Sequence, residues 1–202
     1  MQKSKKNLPV YRGRPRDSNL NKEITKVLWK LLENKSLAEL TINEIALKAK
    51  TTRPAIYRRW SSIEEICIDA FLAEVEQKVP TPTSNHPPDA LREYILSLIK
   101  FLSGQVGKVI AEILGRAQVS PELMRKFHDG FLKPRRNHAR QIIRRGQKSN
   151  HFRSDIDFDL LIDLYAGPIY FRAFAQHAPL NDKFAQELAD TVLVAIKKEK
   201  SK

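Results

Sequence analysis

The segment Leu40–Trp60, LTINEIALKAKTTRPAIYRRW, constrains this chain more than any other stretch. Its apolar residues recur at helical spacing on both sides of a short break. Thr41 and Glu44 have the spacing of a capping box, with Leu40 and Ile45 placed as a hydrophobic staple. This predicts a short helix from Thr41 to about Lys48. Thr51 or Thr52 then caps a second helix, and Pro54 falls in its first turn, where a missing N–H costs little. Two short helices across a tight turn make a helix-turn-helix. Ile42, Ile45, Ala46 and Ala49 give the first helix an inward face, and Ile56 does the same for the second.

What remains on the second helix is chemistry for a polyanion. The Arg53 guanidinium has the planar fork that matches guanine O6 and N7 in a major groove. Ala55 is small enough for close approach to a base edge. Thr52 and Tyr57 can donate to phosphate oxygens, and Arg58 and Arg59 at the far end suit the backbone. Lys50 and Thr51 in the turn, and Thr41 at the start of its helix with free N–H groups, add phosphate contacts. An RGRPR segment at residues 12–16 brings Arg12 and Arg14, which suit a narrow minor groove. Charge is distributed accordingly. The net charge is +13; residues 1–60 hold 15 basic and 5 acidic side chains, and residues 61–202 hold 21 and 18. A strongly basic first third on a near-neutral remainder points to a nucleic-acid-binding module joined to something else.

The rest of the chain reads as helices. Residues 1–17 are basic with almost no apolar periodicity, which predicts a disordered arm. Ile24, Val27, Leu28, Leu31 and Leu32 mark an amphipathic helix, with Asn34 placed as a left-handed stop. Ser61 or Ser62 starts another helix that runs through Ile66, Ala70, Leu72 and Val75. Residues 80–88 hold four of the eleven prolines and form the clearest break. Helices follow near 88–103, 105–117, 120–148, 157–175 and 181–198, with Gly167-Pro168 expected to kink the fourth of these. No stretch alternates with period two, so the fold class is all-α. The expected division is an arm at 1–17, a DNA-binding domain at 18–62 and a helical ligand-binding and dimerisation domain at 63–202.

Other chemistries find little support. A single cysteine, Cys67, rules out an intramolecular disulfide and any multi-cysteine metal site. The five histidines, His86, His128, His138, His151 and His177, have no ligand-motif spacing, so no metal is expected. Asp155, Asp157 and Asp159 imitate a calcium loop, but Leu160 and Ala166 occupy its glycine and glutamate positions, so a polar helix start is the better reading. There is no Gly-rich phosphate loop and no nucleophile elbow, so neither an enzyme nor a cofactor is expected. The N-terminus lacks the apolar core of a signal peptide, and no apolar run approaches the roughly 18–20 residues that cross a bilayer. Cytoplasmic placement without membrane contact is the expectation.

Two amphipathic helices at the end of the chain suit a four-helix dimer interface. Leu161, Leu164 and Ile169 mark one stripe, and Phe184, Leu188, Val192, Ala195 and Ile196 the other; the competing reading is core within one chain. Phe101, Phe127, Phe131, Tyr165 and Phe171 could line an apolar ligand cavity oriented by Glu112, Gln118 and His128. Lys133, Arg135, Arg136, Arg140, Arg144, Arg145 and Lys148 form a basic segment, read first as a solvated face and second as a site for an anionic inducer or membrane surface.

Leu40-Thr41-Ile42, Ile45-Ala46, Ala49, Thr52, Ile56-Tyr57, Trp60 and Glu64-Glu65-Ile66 together resemble the TetR family of transcriptional regulators over roughly residues 20–70. The GPIYFR stretch at 167–172 resembles a kinked penultimate helix of one branch of that family. Departures are Lys50 for the usual glycine, Trp60 for phenylalanine and Ile63 for a phosphate-binding lysine. The resemblance implies a homodimer on a near-palindromic double-stranded operator, acting as a repressor that a small-molecule inducer releases. Two alternatives stay open: a DNA-binding protein without sequence preference, and a helical ligand-binding or catalytic protein with an incidental basic arm.

Overall fold

The computed structural model describes residues 18–198, so the basic arm with Arg12 and Arg14 lies outside the described residues. Ten α-helices make up the described architecture: α1 Ser18–Leu32, α2 Ile42–Lys48, α3 Arg53–Tyr57, α4 Ile63–Lys78, α5 Pro87–Leu102, α6 Gln105–Ala117, α7 Pro121–Phe127, α8 Lys133–Lys148, α9 Phe158–Ala175 and α10 Asp182–Ile196. The extended contact among the described residues is one isolated antiparallel bridge, Phe152 to Lys197. No single described helix is long and apolar enough to cross a membrane.

Helix α1 forms because its apolar residues share one side; Ile24, Leu28, Leu31 and Leu32 are buried there against α2 and α4. Its end differs from the expectation. Asn34 closes a turn onto the Leu31 carbonyl and is not left-handed; among the described residues the left-handed ones are Lys50, Asn150 and Gln176. Helix α4 carries apolar residues on two sides, while Asp69, Glu76, Gln77 and Lys78 face outward. It touches α1 on one side and α6 and α7 on the other, and buries Ile66, Cys67, Ile68, Ala70, Phe71 and Val75. Each large side chain so buried contributes about 1.5–3 kcal/mol of transfer free energy.

The stretch expected as one helix over 120–148 is α7, a π-helical segment His128–Leu132, and α8. Pro134 supplies the reason, since it has no N–H for a regular i−4 bond and its ring clashes with that carbonyl; a π-turn relieves both. Helix α9 runs through Pro168, over the range expected for it. Phe152 fills the space left by Gly146, where a Cβ would come within 2.0 Å of its ring. That close approach pins the α8–α9 connection to the core.

The three aspartates behave as a helix start. Asp157 caps α9 by accepting from the Asp159 and Leu160 amides, Asp155 pairs with Arg153, and Asp159 pairs with Arg136 and Arg140. Cys67 is buried, and burial pushes its thiol up to about 12, so it stays a protonated apolar filler.

Candidate nucleic-acid interface

The reading head is α1 to α3, and its geometry follows from the α2–α3 turn. Lys50 sits at φ 50°, one residue past the Ala49 cap. Its amide donates to Leu47 O at 3.2 Å, and the Thr51 amide donates to Ala46 O at 2.9 Å. This is the Schellman pattern, which ends a helix with a left-handed residue that glycine adopts most easily. The lysine here bears the strain that the usual family glycine avoids.

Thr52 caps α3, its hydroxyl accepting from the Ala55 amide at 3.3 Å. Ile56 is fully buried below, and Thr52, Arg53, Tyr57 and Arg58 remain on the outer side. Among the described residues, the side chains of Lys50, Arg53, Tyr57 and Arg58 have no hydrogen-bond or ion-pair partner. The face therefore presents undischarged donors. Thr41, exposed at the start of α2, accepts from the Glu44 amide at 3.2 Å. The reciprocal half of the expected capping box is absent, because the Glu44 carboxylate is held by Lys35 at 2.8 Å.

Two expected readers are placed otherwise. Ala55 is buried, so it offers no surface to a base edge. Arg59 folds back along its own helix and donates to the Ala55 carbonyl at 2.8 Å, which removes it from the free cations. Sequence spacing put both on the outer face, but Ala55 shares the buried side of the five-residue α3 with Ile56, and Arg59 follows the helix end.

The head is seated by polar contacts that the sequence reading missed. The buried Trp60 indole donates to Asp69 at 2.6 Å. Glu64 pairs with Arg116 of α6, and Glu65 with Lys126 of α7. Burial pushes both carboxyls up, but hydrogen bonds with backbone and cationic partners outweigh it, and both lie below the ordinary value. The Leu37 amide donates to Glu112 of α6 at 3.1 Å.

The expected ligand pocket is not brought together as a set. Phe101, Phe127 and Phe131 pack around Phe71, with centroid distances of 5.7, 6.2 and 4.9 Å. Tyr165 is buried edge-on to Tyr94. Glu112, Gln118 and His128 are exposed and bonded elsewhere, Gln118 to Leu114 O and His128 to Asp129. Phe171 is 65% exposed.

The expected dimer stripes divide as well. Leu161, Ile169, Phe184, Leu188, Val192 and Ile196 are buried within the single chain, where α10 packs on α5. Leu164 and Ala195 are exposed. Apolar periodicity marks a face but does not say what covers it. Nor is the basic segment of α8 a solvated face throughout: Arg136 holds Asp159 and Asp163, Arg140 holds Asp159, Arg135 donates to Val79 O, and Arg144 lies over Phe158.

The comparisons agree with this architecture in both halves. Residues 24–70 match the family described as bacterial regulatory proteins, tetR family, and residues 87–192 match the tetracyclin repressor-like C-terminal domain. The chain is 30% identical over 177 residues to the uncharacterized HTH-type transcriptional regulator YdeS of Bacillus subtilis (strain 168), covering 88% of this chain and 89% of that protein. Its fold superposes with a TM-score of 0.72 on the TetR family transcription regulator SCO0332, at 21% identity over 89% of this chain and 99% of that one. It does so with the same score on the regulator FadR from Bacillus subtilis, solved in complex with stearoyl-CoA, at 18% identity over 87% and 98% of the two chains. With a helix-turn-helix head at one end and the matching helical domain behind it, this chain belongs to the TetR family and is a DNA-binding transcriptional regulator.

Proposed function

We propose that the protein is a repressor that binds a near-palindromic operator as a homodimer and leaves it when a small-molecule effector binds. The observation that carries the DNA half is the outer face of α3, where Arg53 and Arg58 stand exposed without counter-charges beside capping hydroxyls. Arg53 reads a guanine, Thr52 and Tyr57 take phosphates, and Thr41, Lys50, Thr51 and Arg58 position the head on the backbone. Arg12 and Arg14 add minor-groove contacts. In this division residues 18–62 are the reading domain and residues 63–202 bind effector and partner.

For the dimer we assign the outward side of α9. Leu160, Leu164, Gly167, Phe171 and Phe174 recur at alternating steps of four and three residues, and all are exposed. An apolar stripe of that spacing suits a second helix packed along it, and a two-fold axis supplies an identical one. For the effector, the FadR relative's stearoyl-CoA supports an acyl-type ligand.

The test is selection of genomic fragments by the purified protein at near-physiological salt. One enriched near-palindrome is expected, released by long-chain acyl-CoA and lost in Arg53→Ala. Broad recovery without a motif would overturn sequence-specific reading. Phe171→Asp is expected to give a monomer by sedimentation with weakened operator binding; an unchanged dimer would move the interface elsewhere.

A further inference from the structure

The fold brings together two histidines that are 65 positions apart in the chain. His86 lies at the start of α5, directly after the proline-rich connection, and His151 lies in the connection from α8 to α9. Their Nε2 atoms are 3.2 Å apart. The other nitrogen of each ring is already committed. His86 Nδ1 is 2.9 Å from Asp89 Oδ2, a carboxylate that can only accept, so Nδ1 carries the hydrogen. His151 Nδ1 is 2.8 Å from Ser149 Oγ. That hydroxyl donates its one hydrogen to the Arg145 carbonyl at 2.8 Å, so it accepts from His151 Nδ1. With the Ser149 hydrogen on the Arg145 carbonyl, both neutral rings carry a bare Nε2 and the two lone pairs face each other; a hydrogen on His151 Nε2 would instead make the pair a plain hydrogen bond, and metal titration separates the two. Two acceptors at that distance repel unless something cationic lies between them.

We propose that His86 and His151 form a binding site for a divalent transition-metal ion with imidazole preference, of the zinc, nickel or copper type. Tetrahedral zinc with Zn–N of about 2.0–2.1 Å sets two ligand nitrogens about 3.3 Å apart, close to the spacing here. The ring centroids are 4.8 Å apart at an interplanar angle of 84°. A head-on pair at this nitrogen spacing would place them about 5.5 Å apart, whereas rings converging on one ion give about 5.2 Å. The rings are thus canted, as rings that share an ion are. Asp89 and Ser149 supply the outer-shell acceptors that orient metal-binding histidines and raise their basicity.

No third His, Cys, Asp or Glu joins the pair among the described residues. Water completes the coordination, and the affinity is that of a two-ligand site. The nearby Lys198 ammonium is held by Asn150 Oδ1 at 2.7 Å, and its amide donates to His151 O. A bound ion would clamp the connection leaving α4 to the α8–α9 turn, and so stiffen the joint behind the reading head.

The experiment is calorimetric titration of untagged full-length protein with zinc chloride, alongside His86→Gln, His151→Gln, Asp89→Asn and a control, His128→Gln. The expected result is saturable uptake of one ion per chain, lost in either ligand variant and kept in the control. Asp89→Asn is expected to weaken it about 10–100-fold. Copper(II) loaded at one equivalent should show electron-paramagnetic coupling to two nitrogens, falling to one in either ligand variant. Uptake that is absent in the wild type, or unchanged in both ligand variants with circular dichroism showing them folded, would overturn the site.

Discussion

The segment from Arg53 to Arg59, which is α3 and the residues just after it, and helix α8 both carry several arginines and employ them in opposite ways. On α3, Arg53 and Arg58 are exposed and, among the described residues, have no partner. On α8, Arg136 grips Asp159 and Asp163, Arg140 grips Asp159, and Arg135 caps the Val79 carbonyl. Local charge density does not separate the two; pairing does. Cations satisfied within the chain hold helices together, and cations left unsatisfied on a rigid element are available to a polyanion. Undischarged cations are the raw material of counter-ion release on DNA.

The largest expected effect breaks the α3 side. Arg53→Ala should cost about 1–3 kcal/mol of operator binding and relax preference at one base pair, while thermal unfolding stays unchanged because no intrachain contact is lost. Arg58→Ala should weaken binding uniformly and lower the salt slope by about one. Quantitative gel shifts across a salt series measure both. A fall in stability matching the fall in binding would mean that these arginines are structural after all.

The next effect runs the other way on α8. Arg136→Ala should lower unfolding stability by about 1 kcal/mol, at the upper end for an exposed pair because two carboxylates are released together. Operator affinity measured well below the melting temperature should not change. A loss of binding in the folded variant would erase the contrast between the helices.

How much of this was legible in the sequence follows from the same distinction. Helix α6 runs over the expected residues, and Thr52, Ser62 and Ser120 cap as their spacing implies, since capping and periodicity are local. Phase was less legible. Helix α9 carries apolar residues on both sides, so the sequence offered Leu161 and Ile169 for an interface, and the fold buries them while exposing Leu160 and Phe171. The inward turn that buries Ala55 and folds Arg59 onto it depends on how α3 ends. The acidic partners of α8 lie on a different helix, and the His86–His151 approach needs the fold itself. Each of these failures concerns a partner distant in sequence, which no short window can contain.

A smaller effect tests the turn that aims α3. Lys50→Gly should relieve about 1–2 kcal/mol of left-handed strain and return about 0.4–1 kcal/mol through the freer unfolded chain, a net gain of about 0.6–1 kcal/mol. It also deletes one unpaired cation from the DNA face. Denaturant midpoints should therefore rise while the salt slope falls, and both changes in one direction would refute the strain argument.

The smallest effect concerns the joint between the two halves. Glu64 and Glu65 lie below the ordinary carboxylate value of 4.5 in the folded protein. A depressed folded value means that the ionised form is favoured by folding. The stability they contribute is therefore complete above the ordinary value and is lost as pH falls below it and through the depressed value. Each pair should contribute on the order of 0.5 kcal/mol. In Glu64→Gln/Glu65→Gln the drop in unfolding free energy as pH falls from about 5 to about 2 should be smaller than in the parent. Operator affinity at neutral pH should shift only if the seat formed by Arg116 and Lys126 aims the head. A double variant with the parent's pH dependence would place the acid-sensitive contacts elsewhere, with the α8–α9 carboxylates first in line, which returns the question to the helix where arginine is already spent.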